Sequence, residues 1–313
     1  MIKRRQFLKT SAVAVGGAAA GGAGAVNAAT ASAPRMTLGF STYGMATIKT
    51  EDAIMALAKI GYDAVELNIW PGRDADAATI SSERARSIGR LLKHWGIKPS
   101  ALMESLKVEQ DPAKHKAVLE RLRRAADLAH ALSPQSPPLV ETTLGGGKWE
   151  EVKELYQSRL ADWAELGREM KTVMTIKPHR FGAMSRPSHA VDLIRALGDP
   201  KWLRMAYDFS HYAHRDMTVE DTVRTALPYT SFVAVKDTVM VNGKARFVLP
   251  GQSGQIDYAR LLKLFHTGGY RGDINCEISG MVSNQKGYDP IATAEQCYAN
   301  IAPAFVRAGI SRG

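Results

Sequence analysis

Eight short apolar runs recur between residues 36 and 278, their starts 27 to 41 residues apart with a mean near 34, and no other feature constrains the fold as tightly. They are MTLGFSTY (36 to 43), DAVELNIW (63 to 70), IKPSALME (97 to 104), PPLVETT (137 to 143), TVMTIKPH (172 to 179), WLRMAYD (202 to 208), SFVAVKD (231 to 237) and GDINCEI (272 to 278). Helical patterns lie between them. The clearest is Trp149, Val152, Leu155, Tyr156, Leu160, Trp163, Leu166 and Met170, an apolar stripe at three- and four-residue spacing that predicts a core-facing helix. Gly61, Gly96 and Gly269 each fall between a helical run and the next strand, where a residue of positive φ ends a helix. Eight strand-plus-helix units of this size, undivided by any Pro- or Ser-rich linker, predict a single (β/α)8 barrel. A doubly wound sheet would also alternate strands and helices, but its phosphate fingerprint is missing. Gly145-Gly146-Gly147 follows a strand without the G-x-G-x-x-G spacing. After the seventh strand, VMVNGKARFVL carries Asn242-Gly243 between alternating residues, which predicts a β-hairpin on a type I′ turn at the top rim.

The chain is 45% hydrophobic and 23% charged, which excludes a disordered polymer. Two cysteines, Cys276 and Cys297, exclude a disulfide framework or a zinc knuckle. The net charge of +10 invites a nucleic-acid reading until its position is considered. Lys3, Arg4, Arg5 and Lys9 lie in the first 33 residues, which hold no acid, continue as an Ala/Gly run and end among small residues. That is the layout of an export signal rather than a membrane span, and it leaves about +6 for a domain over 34–313. Arg4-Arg5-Gln6-Phe7-Leu8-Lys9 resembles the twin-arginine signal, with Lys3 where Ser or Thr is more usual. The resemblance implies delivery to the periplasm in folded form by the twin-arginine export machinery. No nucleic-acid partner is expected, and no later run reaches the ~18 apolar residues of a membrane span.

In a (β/α)8 barrel, functional groups sit at the C-terminal strand ends. Here those ends carry Ser41 and Tyr43, Glu66 and Asn68, Glu104, Glu141, Lys177-Pro178-His179-Arg180, Asp208-Phe209-Ser210-His211, Lys236-Asp237 and Glu277. So many ionisable groups at one mouth must pair with one another, ligate a metal or bind a polar substrate.

DAVEL on strand two, Asp208-x-x-His211, Lys236-Asp237, the stretch Gly251, Gly254, Ile256 and Asp257, and Glu277 together resemble the xylose isomerase-like TIM barrel superfamily, specifically its sugar phosphate isomerase/epimerase group. The likeness runs from residue 36 to 308. It implies a divalent metal held by a Glu ending strand five, an Asp ending strand six, a His on strand seven and a Glu ending strand eight. Asp208 and Glu277 match; Lys177 and Ala234 stand at the other two positions. His211 matches a substrate or metal contact in relatives.

Three arrangements follow. A Mn, Zn or Mg ion could shift to Glu141, His179, Asp208 and Glu277, an oxygen and imidazole set suited to such ions. Alternatively Lys177, Lys236 and His179 supply the positive field themselves. In the third, Lys177 is a counter-ion of Asp208 or Glu277 and the barrel only binds a ligand.

The resemblance implies proton abstraction beside a sugar carbonyl through an enediolate. Candidate catalytic residues are Lys177, His179, Lys236 and Glu277; candidate substrate contacts are Glu66, His211 and Arg180. The expected activity is a sugar isomerase or epimerase on a small carbohydrate, with β-elimination from an oxidised sugar as the alternative, and a non-catalytic sugar-binding barrel as a third reading. A DNA-repair endonuclease of the same barrel would need histidines on strands three and seven that this chain lacks. The loop residues Arg180, Arg186, Tyr212, Arg215 and Lys244 are candidate contacts to ligand, to a neighbour in a homo-oligomer, or to solvent.

Overall fold

The computed structural model describes residues 35–313; the export signal expected over 1–33 lies outside the described residues. Strands and helices alternate as β1 (Thr37–Ser41), α1 (Thr50–Ile60), β2 (Ala64–Asn68), α2 (Ser82–Trp95), β3 (Lys98–Met103), α3 (Pro112–Leu132), β4 (Leu139–Thr142), α4 (Trp149–Met170), β5 (Met174–Ile176), α5 (Pro187–Ala196), β6 (Leu203–Tyr207), α6 (Val219–Ala226) and β7 (Thr230–Val235). There follow β8 (Asp237–Val241), β9 (Lys244–Val248), α7 (Tyr258–Thr267), β10 (Asp273–Cys276), α8 (Gly280–Ser283) and α9 (Pro290–Arg307). Strands β1 to β7 and β10 close into a parallel barrel in which β10 returns to β1. This is the predicted (β/α)8 barrel, and all eight predicted strands are present. The predicted hairpin is β8 and β9, an antiparallel pair whose turn residues Asn242 and Gly243 have φ of 49° and 72°, as a type I′ turn requires.

The strands are shorter than the apolar runs. β5 stops at Ile176 because Pro178 has no N–H to give a ladder, although the Lys177 N–H still donates to the Thr142 carbonyl. Gly61 and Gly96 end α1 and α2 at φ of 118° and 67°. At the other end of α3, Asp111 accepts from the Lys114 N–H ahead of Pro112. The stripe on α4 packs inward as its spacing predicts, with Tyr156, Leu160, Trp163 and Leu166 all buried.

Strand alternation then decides what fills the barrel. Residues such as Val65, Leu102, Val140, Val233 and Ile274 join the core shared with the helices. Their neighbours face the lumen, where Ala101, Ala206, Phe232 and Ala234 form a separate small cluster. Space there is tight: a Cβ on Gly39 would come within 2.2 Å of the Asn275 Oδ1. At the N-terminal end, Asp273 accepts from the Thr37 hydroxyl at 2.6 Å and pairs with Lys98 at 2.9 Å. The same alternation carried to the C-terminal end turns Glu66, Glu141, Lys177, Asp208, Lys236 and Glu277 into the lumen above the alanine layer.

Candidate active site

Glu277, one residue beyond β10, lies at the centre of that upper layer. Its Oε2 accepts from the Lys177 Nζ at 2.6 Å and its Oε1 from the Lys236 Nζ at 2.5 Å. Lys177 also faces the Glu141 Oε1 at 2.8 Å, and Lys236 the Asp208 Oδ2 at 2.9 Å. The result is a chain of alternating charge, Glu141, Lys177, Glu277, Lys236 and Asp208, contributed by five strands. It is almost wholly enclosed: Lys177, Lys236 and Glu277 are 4%, 2% and 5% exposed. The Asp208 Oδ1 accepts from the Ser210 N–H at 3.0 Å and the Ser210 hydroxyl at 2.6 Å. His211 lies 3.4 Å from the Asp208 Oδ2 through its Nε2, and its Nδ1 accepts from the Arg180 N–H.

The electrostatics follow from this chain. Burial alone would lower the Lys177 pKa, but Glu141, Glu277 and Asp208 outweigh it and hold the ammonium well above its ordinary value. Lys236 is likewise raised, by Asp208 and Glu277 against burial. Burial would raise Glu277, yet the two lysines pull it down to about 2. Asp208 is held well below its ordinary value by Lys236 and His211, again against burial. Burial, then the neighbouring His211, Lys236 and Lys177, take His179 down to about 2, so its imidazole is neutral. Burial and Lys236 bring His211 to about 4.

Glu66 is the contrasting group. It is fully buried and forms no ion pair among the described residues, although the Ser41 hydroxyl beside it favours its charged form. Burial and the nearby Glu141 push it well above its ordinary value, opposed by Lys177. Burial also raises Glu141, against the pull of Lys177. Glu104, a strand-end carboxylate of similar burial, is bound instead to Arg121 at 2.6 Å, outside the charge chain.

The roof is aromatic. The His179 and His211 rings are 4.1 Å apart, and Phe247 of β9 covers the Lys236 Nζ at 4.9 Å while meeting His211 at 5.2 Å. Phe181 packs edge-on to Phe247. Arg180 reaches the carbonyls of His211 and Ala213 and ties the loop after β5 to the loop after β6. After β1 and β2, Tyr43 and Trp70 pack 4.9 Å apart with Arg73 beside both rings. Phe247, Phe181 and Trp70 escaped the sequence reading. An aromatic on the hairpin directly following Lys236 was the available signal.

The donor set does not fit a divalent ion. Among the described residues no group of three or more His, Cys, Asp or Glu is arranged to hold a metal. Both Glu277 oxygens and the Asp208 Oδ2 face ammonium groups, Ala234 offers no donor atom, and a cation between them would meet Lys177 and Lys236 first. The four-residue ligand set Glu141, His179, Asp208 and Glu277 is therefore split by the two lysines.

The fold is shared with proteins of very different sequence. A fusion of a xylose isomerase-like TIM barrel with 4-hydroxyphenylpyruvate dioxygenase superposes with a TM-score of 0.68 at 18% identity, over 88% of this chain and 43% of its own. The 3-keto-D-glucoside 4-epimerase of E. coli does so at 0.67 and 12% identity, over 86% of this chain and 100% of its own. The IOLI protein, solved with a bound zinc atom, gives 0.70 at 15% identity over 86% and 99%. Among curated proteins none matches by sequence. Residues 54–296 match the profile of the xylose isomerase-like TIM barrel, and the chain belongs to that family.

Proposed function

We propose that this protein is a sugar isomerase or epimerase that moves a proton at a carbon next to a carbonyl through an enediolate. The observation that carries the reading is the pair of buried carboxyl groups, Glu66 and Glu141, beside a buried positive centre at the barrel mouth. Proton transfer at carbon needs a group that accepts the proton and one that returns it, with pKa values brought toward the working pH. Glu141 is the base in this scheme and Glu66, fully buried and in no ion pair among the described residues, the acid. The base candidates read from sequence fit the task less well. Lys177 is held charged, Glu277 has both oxygens engaged, and His179 is too weak a base at a pKa of about 2. Tyr43 and Trp70 offer apolar faces of the kind that sugar rings stack on. The neighbour that acts on a keto-glucoside supports a carbonyl-bearing sugar as substrate.

The test is deuterium incorporation from D2O into a panel of ketoses, aldoses and keto-glycosides, followed by proton NMR. Exchange next to the carbonyl is expected, falling about 100-fold or more in Glu141→Gln and Glu66→Gln. Loss of a β-substituent with new alkene signals would identify the lyase instead. Binding without exchange in any sugar would leave a carbohydrate-binding barrel. Export is part of the same proposal, supported by residues 1–33. Replacing Arg4 and Arg5 by lysine is expected to hold the protein in the cytoplasm, and periplasmic recovery of that variant would refute this part.

A further inference from the structure

We propose that Lys177 and Lys236 together take the place of a divalent cation, binding the carbonyl oxygen of the substrate and the oxyanion it becomes, so that the site works without metal. The inference rests on the enediolate reading above and specifies its electrophile. A relative of this fold carries zinc, whereas here two ammonium groups occupy the midst of the carboxylates. Both ammoniums grip the two oxygens of one carboxylate, so they are held no further apart than a carboxyl group can bridge.

Each ammonium has three N–H donors and two carboxylate neighbours, leaving one N–H on each for a ligand. Glu277 fixes both cations from below, and the Phe247 ring keeps water off Lys236 from above. A positive pair fixed in advance and shielded from water interacts strongly with developing negative charge, because it need not reorganise as the charge forms. The two cations are paired with the three carboxylates of Glu141, Glu277 and Asp208. When Glu141 takes up the proton from carbon, that becomes two against two. The bound oxyanion then supplies the charge that Glu141 has lost.

The step balances. The C–H bond breaks and its proton passes to the Glu141 carboxylate. The bonding pair forms the carbon–carbon double bond of the enediolate, and the carbonyl π pair moves to the oxygen held between the ammoniums. Return of a proton to carbon, from Glu141 or from a protonated Glu66, restores a carbonyl sugar with no change of oxidation state. Because both amines stay protonated in their carboxylate pairs, they act as hydrogen-bond donors and form no imine.

Glycolohydroxamate, a small mimic of an enediolate, tests this by calorimetric titration of the full-length protein before and after EDTA treatment, alongside titration of the EDTA-treated protein with Mn2+ and with Zn2+. The expected result is hydroxamate binding that EDTA leaves unchanged and that weakens about 10- to 100-fold in Lys177→Met and in Lys236→Met. No stoichiometric uptake of either metal is expected at the mouth. Hydroxamate binding that needs added Mn2+ or Zn2+, or no binding under either condition, overturns the proposal. The wild-type titrations decide this even if a lysine variant fails to fold. The two readings fail separately. Deuterium exchange that appears only with added metal sinks the lysine pair and spares the enediolate chemistry. Metal-free, lysine-dependent hydroxamate binding without exchange in any sugar does the reverse.

Discussion

Replacing Arg121 with methionine tests how much the fold depends on one buried ion pair to hold Glu104. Arg121 projects from α3 and is largely buried. Its guanidinium donates to Glu104 at 2.6 Å, to Asp76 at 2.7 Å and to the Ile69 carbonyl. Glu104 is 2% exposed, and Arg121 is its only ion-pair partner among the described residues. Burial raises its pKa even with the arginine present. Methionine fills much of the arginine stem but carries no charge, so in Arg121→Met the least unfavourable state of Glu104 at pH 7 is the protonated one. Taking a carboxyl group from about 4.3 to pH 7 costs about 3.7 kcal/mol at 1.36 kcal/mol per unit. Part of that is already present in the wild type, because burial has raised the group.

The Ile69 carbonyl and Asp76 each lose a donor, at about 1 kcal/mol apiece. Asp76 keeps the N–H groups of Gly72 and Ala78. The expected loss is about 3 kcal/mol, at the lower edge of the range for breaking a buried pair. Urea denaturation at pH 7 reads it directly. At pH 5 the gap between variant and wild type is expected to narrow, because Glu104 then protonates at little cost, and adding Glu104→Gln is expected to recover much of the loss at pH 7. A loss under ~0.5 kcal/mol, or one that is the same at both pH values, would refute the reasoning.

Two further outcomes follow from the site. Below about 6.5 the unfolded chain protonates its histidines, while folded His179 stays neutral down to about 2, so this group withdraws stability as pH falls. The raised carboxyls Glu66, Glu141 and Glu104 work in the opposite direction, so the effect is read as a difference. Between pH 7.5 and 5, His179→Gln is expected to gain about 2 kcal/mol relative to wild type in urea melts; no change of that gap would count against a buried neutral imidazole. In Phe247→Ala, glycolohydroxamate binding is expected to become sensitive to salt, since an uncovered Lys236 is screened and a covered one is not. Equal salt dependence in variant and wild type would show that the ring does not shield the charge.

Most of the barrel was legible because its strands are buried on both faces and so read as unbroken apolar runs, punctuated by glycines and by one Asn-Gly turn. The polar strand ends were legible for the same reason: Glu66, Glu141, Lys177 and Glu277 interrupt or end those runs. Their partners were not. Lys177 and Glu277 are 100 residues apart in sequence, and only closure of the barrel brings them to 2.6 Å. Glu66 and Glu104 look alike as strand-end carboxylates, yet Arg121 pairs with one, while the other forms no ion pair among the described residues. Phe247 was hidden because a hairpin residue reads as rim decoration until its ring is found over an ammonium.

That hairpin has a consequence for access to the barrel mouth. β8 and β9 hydrogen-bond to each other and belong to no barrel ladder. Their base is pinned, with Asp237 accepting from Ser253 and Tyr258 and the Thr238 hydroxyl donating to Ser210, while Met240 and Val241 at the tip are exposed. A two-stranded flap fixed at one end can tilt without breaking a single bond of the barrel wall. Since Lys236 is the one residue between β7 and this flap, any tilt of the flap would lift the ring from the ammonium, and the cover and the charge beneath it share one pivot.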